Sequence, residues 1–87
     1  MKLVVLYRTN SEEHSKVEEL VDDFKRSYPK SKIDILNVDS RDGIATASIY
    51  DILRYPSILA VQDDGTLIES WQGVESLPRV GDLSIYT

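Results

Sequence analysis

The sequence predicts a small α/β domain with a mixed β-sheet. Short apolar runs that are typical of buried strands alternate with segments whose apolar residues recur at helical spacing. Two such strand–helix pairs come first, and a glycine-containing turn then separates two final strands. A chain of 87 residues forms a single domain. The predicted order is therefore βαβαββ over residues 1–87, a four-stranded sheet with helices on both faces.

The first strand–helix pair occupies the N-terminal third of the chain. Lys2–Tyr7 contains four consecutive aliphatic residues, which predicts a strand buried on both faces. A helix follows, capped by Asn10 with Glu13 completing a capping-box-like pair. Its inward positions recur at helical spacing and are Val17, Leu20, Val21, Phe24 and Tyr28. Pro29 comes directly after the expected end of the helix.

The second strand–helix pair repeats this arrangement. Ile33–Val38 is apolar on both sides of its alternation, which predicts a second strand. Ile44–Leu53 is the expected second helix, with Ser40 or Asp42 as its cap and a proline after its end. Because a helical crossover joins the first two strands, we expect them to be parallel.

The last two strands form a predicted hairpin. Ser57–Val61 and Thr66–Trp71 flank the turn Asp63–Gly65, where glycine tolerates a positive φ. We expect Trp71 to pack in the core or at its rim. The tail that follows has only a weak helical pattern, because a proline and a glycine interrupt it.

Composition excludes several function classes. The net charge is −5, so a nucleic-acid partner is not expected. The chain has no cysteine, which excludes disulfides, thiolate zinc sites and thiol redox chemistry by the chain itself. His14 is the single histidine, so no multi-histidine metal site is expected. The sequence predicts no cofactor, no membrane span and no signal peptide, and a cytoplasmic location.

The stretch YDILRYPSILAVQDDGTLIESWQG resembles the second half of the thioredoxin family. That family has a helix end, a proline, a strand, a glycine turn, a strand and a glycine in this order. The positions that carry the match are Tyr50, Ile52, Pro56, Ser57, Gly65 and Gly73. The first half, with its strand, loop and long helix, is also similar to thioredoxin or glutaredoxin. The resemblance spans residues 2–73 and implies a thioredoxin-like fold with a shortened C-terminal helix.

The resemblance also indicates where a site belongs. The two cysteines of the family's CxxC motif fall on Ser11 and His14, so the thiol chemistry is absent. Pro56 matches the family's cis-proline, and Ser57 matches its usual threonine. In the family, the backbone before that proline pairs with an extended peptide or with glutathione, which gives this role to Tyr55. These five residues are the predicted groove.

Three interpretations follow from this pattern. The first is a redox-inactive module that binds a protein or peptide in the groove, as a monomer or weak homodimer. The second is a glutathione-binding or glutathione-transferase-like protein in which Ser11 holds a substrate thiol, although the acidic neighbours of Ser11 oppose an anionic ligand. The third is a structural domain in which Tyr55 packs on the loop of Ser11.

Enzyme activity is not the favoured interpretation, because Ser11, His14 and Glu18 on one exposed helix face are more typical of solvated surface. The sheet face near Val74–Thr87, which the shortened closing helix is expected to leave exposed, is a second candidate surface for self-association.

Overall fold

The computed structural model describes residues 1–9 and 14–86, which form a four-stranded sheet with helices on both sides. The predicted capping residues Asn10 and Glu13 lie outside the described residues. The regular elements, in chain order, are β1 (Lys2–Tyr7), α1 (His14–Ser27), β2 (Ile33–Asn37), α2 (Arg41–Ile49), β3 (Ser57–Val61), β4 (Leu67–Gln72) and two 3-10 helices, Val74–Ser76 and Val80–Tyr86.

The sheet is mixed, as the sequence predicts. Its strand order is β2-β1-β3-β4. β1 runs parallel to β2 and antiparallel to β3, and β3 pairs with β4 in the predicted antiparallel hairpin. The turn of this hairpin places Gly65 at φ 92°, in the region that favours glycine. The central position of β1 explains its continuous apolar sequence, because neighbours cover both of its edges and both of its faces.

Alternate residues of β1 enter two separate cores. Leu3 and Val5 pack with α1 on one face of the sheet, which we call the α1 face. Val4 and Leu6 pack with Ala47 of α2 on the opposite face, which we call the α2 face. The period of two along a strand thus divides one apolar run between two helix-covered layers.

The second strand lies at an edge of the sheet. The side chains of β2 are half-buried or exposed, including Ile35. An edge strand has a neighbour on one side only, so it is less covered than the central β1. The strand also ends at Asn37, and the buried Val38 follows it in a turn.

The bounds predicted for the second helix are wrong at both ends. α2 begins at Arg41, because Ser40 is the cap and its hydroxyl oxygen accepts a 3.0 Å hydrogen bond from the Gly43 N–H. It ends at Ile49, well before Leu53. Asp51 has φ 55°, a left-handed conformation that cannot continue a right-handed helix. The sequence offered no glycine at that position to mark the end.

The tail covers the α1 face more fully than its broken pattern suggests. Leu83, in the second 3-10 helix, is buried in the same core as Phe24 of α1. Trp71 is half-buried against this core and meets Tyr86 edge-on at 5.5 Å between ring centroids. The expected core or rim position of Trp71 is therefore confirmed.

Candidate functional site

The candidate site lies at the carboxyl end of β1. β1 pairs with β3 so that Leu6 is opposite Ser57. The segment that leads into β3, Arg54–Pro56, therefore comes to the same end of the sheet as Tyr7 and Arg8. Residue 9 is the last described residue before the gap at 10–13, where the predicted site residue Ser11 lies outside the described residues.

Hydrogen bonds hold the segment Tyr55–Ser57 in place. The Tyr55–Pro56 peptide bond is cis. The Pro56 carbonyl accepts a 2.9 Å hydrogen bond from the Gly73 N–H, and the hydroxyl of the fully buried Ser57 donates to the Arg54 carbonyl. The Tyr55 hydroxyl donates to the Ile52 carbonyl at 3.1 Å. The backbone of Tyr55 is thus presented by a fixed frame rather than by a loop with many conformations.

The backbone of Tyr55 has unused hydrogen-bonding groups. Within residues 1–9 and 14–86, neither its N–H nor its carbonyl has a hydrogen-bond partner. Both groups are strong hydrogen-bonding groups that another strand can pair with. Leu53, two residues earlier, is 85% exposed, which is high for a large aliphatic side chain. A backbone pairing position and an apolar side chain therefore lie next to each other.

Cationic and anionic side chains surround this position. The Arg8 guanidinium lies 5.9 Å from the centroid of the Tyr55 ring, within the range of a cation–π contact. The same guanidinium is 3.8 Å from a carboxylate oxygen of Asp39. Arg54 forms an ion pair with Glu75 of the first 3-10 helix. Arg8 and Asp39 are both more than half exposed, so the environment near Tyr55 is polar and hydrated.

His14 forms a separate contact group on the α1 face. Its ring stacks on Tyr7 at 5.4 Å between centroids and 23° between planes. Its Nε2 lies 2.9 Å from a carboxylate oxygen of Glu18, one helical turn later. Its Nδ1 is buried and has no hydrogen-bond partner among the described residues. His14 and Glu18 thus lie on one face of α1 and contact each other. Ser11, the third residue of this predicted face, lies outside the described residues.

The structure brings together only part of the predicted groove. Tyr55, Pro56 and Ser57 are contiguous, but Pro56 and Ser57 are buried, so a ligand at this end meets the backbone and Tyr55 rather than the Ser57 hydroxyl. His14 contacts Tyr7 on the α1 face, whereas Tyr55 packs against the core of the α2 face. Their joint participation in one groove stays a prediction.

Sequence reasoning missed two residues of this site, Arg8 and Leu53. Arg8 follows the buried strand directly, and the carboxyl end of such a strand is a favoured place for function. Leu53 was assigned to the second helix, which hid its exposure. A correct end for α2 would have placed it in a loop beside Tyr55.

The described residues contain no group of three or more histidine or acidic side chains placed to hold a metal ion. None of their helices is long and apolar enough to cross a membrane.

Comparisons with known proteins show a structural likeness and no family. No protein family and no curated protein sequence matches the chain. Among solved structures, 23 chains match. One of these, described as the structure of a malarial protein, is 17% identical, with a TM-score of 0.66 over 99% of this chain and 93% of that chain. At this identity the likeness shows a shared fold alone.

Proposed function

We propose that the chain is a redox-inactive, thioredoxin-like binding module that recognises an extended peptide segment through Tyr55. The proposal depends on one observation: among residues 1–9 and 14–86, the N–H and carbonyl of Tyr55 have no hydrogen-bond partner, and hydrogen bonds hold this segment at the end of the sheet. A peptide strand that pairs with both groups would gain two backbone hydrogen bonds and would extend the sheet locally.

The sequence supports the redox-inactive part of the proposal. The chain contains no cysteine, so it has no thiol for disulfide exchange. The thioredoxin-like part rests on the resemblance at residues 50–73 and on the strand order, in which β1 is parallel to β2 and antiparallel to β3. A thioredoxin-like fold without thiols can still bind a peptide, although it cannot exchange disulfides with it.

The side chains near Tyr55 favour a particular ligand chemistry. Leu53 offers an exposed apolar contact, which favours a peptide with an aliphatic or aromatic side chain at that position. The Arg8 guanidinium stacks near the Tyr55 ring and favours an acidic neighbour in the peptide. Asp39 beside Arg8 offsets part of this preference, so we expect the apolar contact to contribute more.

An NMR titration tests the proposal. Labelled protein is titrated with a library of extended peptides that carry one apolar and one acidic residue, and the Tyr55 amide is followed. Binding by strand addition shifts this amide downfield, because its N–H becomes a hydrogen-bond donor. N-methylation of the peptide at one pairing position removes a hydrogen bond, and we expect this to weaken binding about tenfold, whereas methylation at outward positions has little effect.

A pair of protein variants isolates the apolar contact. Leu53→Ser removes the exposed side chain beside Tyr55, and we expect weaker peptide binding with little change in stability. Ile85→Ser is the matched control, because Ile85 is 76% exposed and lies in the second 3-10 helix, whose Leu83 packs in the α1-face core, whereas Tyr55 packs against the α2-face core. Equal effects of the two variants would argue against the Tyr55 site.

A parallel titration with glutathione separates this proposal from the thiol-enzyme alternative. Shifts with glutathione that Ser11→Ala abolishes would support the alternative. Silence of Tyr55 toward all peptides would overturn peptide recognition at this position.

A further inference from the structure

The outer edge of β2 is open to a further strand. β2 is the first strand in the sheet order and pairs with β1 alone. The Lys32 carbonyl and the Val38 N–H bond to β1, and the backbone groups of successive strand residues point to opposite edges. The N–H and carbonyl groups of Ile33 and Ile35 therefore point outward. In the described part of the chain these four groups have no hydrogen-bond partner.

The other edge of the sheet is less suited to pairing. The ladder of β3 and β4 has one register shift, which leaves Ile68 as an extra residue of β4, and the neighbouring Glu69 is exposed. A bulge and a charged side chain are features that keep an edge strand from pairing with another chain. β2 pairs with β1 over five consecutive residues without a shift, and its one charged side chain, Asp34, is already paired with Lys2. The edge of β2 is therefore the regular one.

A cavity lies beside this open edge, between β2 and α1. Its volume is about 310 Å³. The apolar residues that line it are Tyr7, Val17, Val21 and Ile35. Ile35 is 38% exposed at the strand edge, whereas the two valines of α1 are buried. Because alternate side chains of a strand point to one face, a strand paired with β2 would direct every second side chain toward this cavity. A large aliphatic side chain at one such position would have an apolar pocket to fill.

The charged residues that line the cavity change sign along α1. Glu18, Asp22 and Lys25 follow one another at helical spacing on this rim. α1 runs antiparallel to β2, because a crossover helix returns along the sheet between two parallel strands. Lys25 also lines a groove with Ile33, the first residue of β2, which agrees with this direction. The two carboxylates therefore lie toward the carboxyl end of β2, and Lys25 lies toward its amino end.

The acidic part of this rim lacks positive charge. Glu18 and Asp22 are one helical turn apart, a spacing at which like charges destabilise a helix. Glu18 contacts Nε2 of His14. In the part of the chain that the structure describes, Asp22 and Lys25 form no ion pair. A ligand cation beside the two carboxylates and a ligand anion beside Lys25 would each meet the opposite charge.

We infer that the β2 edge binds an extended peptide that runs antiparallel to β2 and carries a cationic, an aliphatic and an anionic side chain at alternate positions, in this order. The antiparallel direction places the cation beside Glu18 and Asp22 and the anion beside Lys25, with the aliphatic side chain at the cavity. Five strand residues span about 14 Å, and residues 18 to 25 of α1 span about 10 Å, a difference that long charged side chains bridge. Backbone pairing with Ile33 and Ile35 supplies affinity, and the cavity and its rim supply specificity.

The charges favour a peptide over a second copy of the chain. An antiparallel β2 of another copy would offer only uncharged side chains at the alternate positions 31, 33, 35 and 37, so the rim charges would stay unmatched. The site is also separate from Tyr55, which packs against the core of the α2 face, and it does not depend on the function proposed there.

An NMR titration with a peptide of the inferred pattern tests this site. The probe is an acetylated and amidated heptapeptide with the sequence Thr-Lys-Thr-Leu-Thr-Glu-Thr. Binding is expected to move the amide proton signals of Ile33 and Ile35 downfield, because their N–H groups gain acceptors. The signals of Asp34 and Leu36, whose N–H groups already face β1, are expected to change little. This alternation distinguishes strand pairing from non-specific contact.

Two altered peptides test the side-chain contacts. Replacement of the leucine by serine is expected to weaken binding about tenfold, because apolar burial in the cavity is lost. Exchange of the lysine and the glutamate is expected to weaken binding about threefold at low salt and to have less effect at high salt, since both ion pairs are exposed.

A matched pair of protein variants tests the edge. Ile35→Lys removes an apolar wall of the cavity and places a charge at the strand edge, and we expect it to weaken binding about tenfold or more. Ile68→Lys is the control, because Ile68 is also 38% exposed and lies on the other edge strand. It is expected to leave binding unchanged, as is Leu53→Ser beside Tyr55. Circular dichroism checks that each variant is folded.

Three results would overturn the inference. The first is the absence of the alternating amide shifts up to about 1 mM peptide. The second is an equal loss of binding in Ile35→Lys and Ile68→Lys. The third is a set of shifts at Ile33 and Ile35 that appears on raising the protein concentration without peptide, which would assign the edge to a second copy instead.

Discussion

α1 and α2 cover opposite faces of one sheet in opposite ways. α1 turns large side chains inward, with Val17, Val21 and Phe24 buried, and its exposed positions are serines and charged residues. α2 turns Gly43 and Ala47 inward and isoleucines outward. A helix with an apolar inner stripe and a charged outer face needs only the sheet as a partner. α2 instead buries only small residues and leaves Ile44 and Ile49 more than half exposed.

The residues on the inward face of each helix also determine how closely that helix approaches the sheet. At Gly43 an added Cβ would overlap the carbonyl oxygen of Asn37, the last residue of β2. This start of α2 therefore lies in direct backbone contact with the end of the strand. α1 instead contacts the sheet through buried aliphatic and aromatic side chains. Four substitutions test this difference.

The largest expected effect is on the α1 side. Phe24 is 1% exposed and packs with Leu83 and the odd-numbered residues of β1. We expect Phe24→Ala to lower the free energy of unfolding by about 3–5 kcal/mol, because it leaves a cavity in a small core. Urea denaturation measures the change, and Phe24→Leu is the milder variant if the alanine protein does not fold. If Phe24→Ala lowered the free energy of unfolding no more than a surface substitution does, the α1-face core would not be a main source of stability.

Gly43→Ala tests the close approach of α2. Alanine in a helix is ordinarily favoured over glycine by about 1 kcal/mol. Here we expect a loss of about 1–3 kcal/mol, because the new methyl group overlaps fixed backbone atoms of Asn37.

The control for this change is Gly81→Ala in the second 3-10 helix. An added Cβ at Gly81 meets no atom within 4 Å. Thermal or urea unfolding of the two variants should therefore differ in sign or clearly in size. A stabilising Gly43→Ala would show that β2 and α2 can move apart at no cost.

A smaller effect is expected at the N-terminus of α2. The Ser40 hydroxyl accepts from the Gly43 N–H and donates to the Asn37 carbonyl at 2.6 Å. We expect Ser40→Ala to cost about 1 kcal/mol in the free energy of unfolding, since an N–H of the first turn loses its partner. Ser48→Ala, on the exposed face of the same helix, is the control. Equal unfolding midpoints for the two variants would count against a capping role for Ser40.

The smallest effect concerns the polar border of the α2 face. Lys2 and Asp34 form a 2.9 Å ion pair, and the hydrogen bond and charge of Asp34 raise the pKa of the Lys2 ammonium above its ordinary value of 10.5. A raised pKa means that the pair stabilises the fold below pH 10.5 and loses this effect as pH rises through the folded-state pKa.

Because both side chains are substantially exposed, we expect Asp34→Asn to cost less than about 0.5 kcal/mol at neutral pH. The difference from wild type should shrink in high salt and above the folded-state pKa of Lys2. Denaturation curves at two pH values and two salt concentrations measure it. A difference that salt leaves unchanged would show that packing, not charge, couples the two residues.

Much of the fold could be predicted from the sequence because local patterns carry it. β1 and β3 have the bounds that their apolar runs predict, and the DDG turn joins β3 to β4. The end of α2 could not be predicted, since it depends on the backbone conformation of Asp51, which no residue preference imposes. The edge position of β2 could not be predicted for a different reason: the residue pattern of a strand does not say whether it has one neighbour or two.

The candidate site was predictable only as a location. The position of Pro56 in the sequence indicated the neighbourhood of Tyr55, but Arg8 and Leu53 join it through the pairing of β1 with β3 and the early end of α2. The role of Ser11 stays a prediction. Residues distant in sequence meet through strand register, and register is not a local property.

The sequence by itself determined the order of elements, the parallel first crossover, the hairpin and the absence of thiol chemistry. These follow from residue spacing, from the reach of short connections and from the lack of cysteine. Only the tertiary structure decided which strands lie at the edge, which side of α2 faces the sheet and which backbone groups at Tyr55 have no partner among the residues that the structure describes. Each of these depends on what the rest of the chain places beside a residue, because burial and hydrogen-bond pairing are properties of neighbours in space.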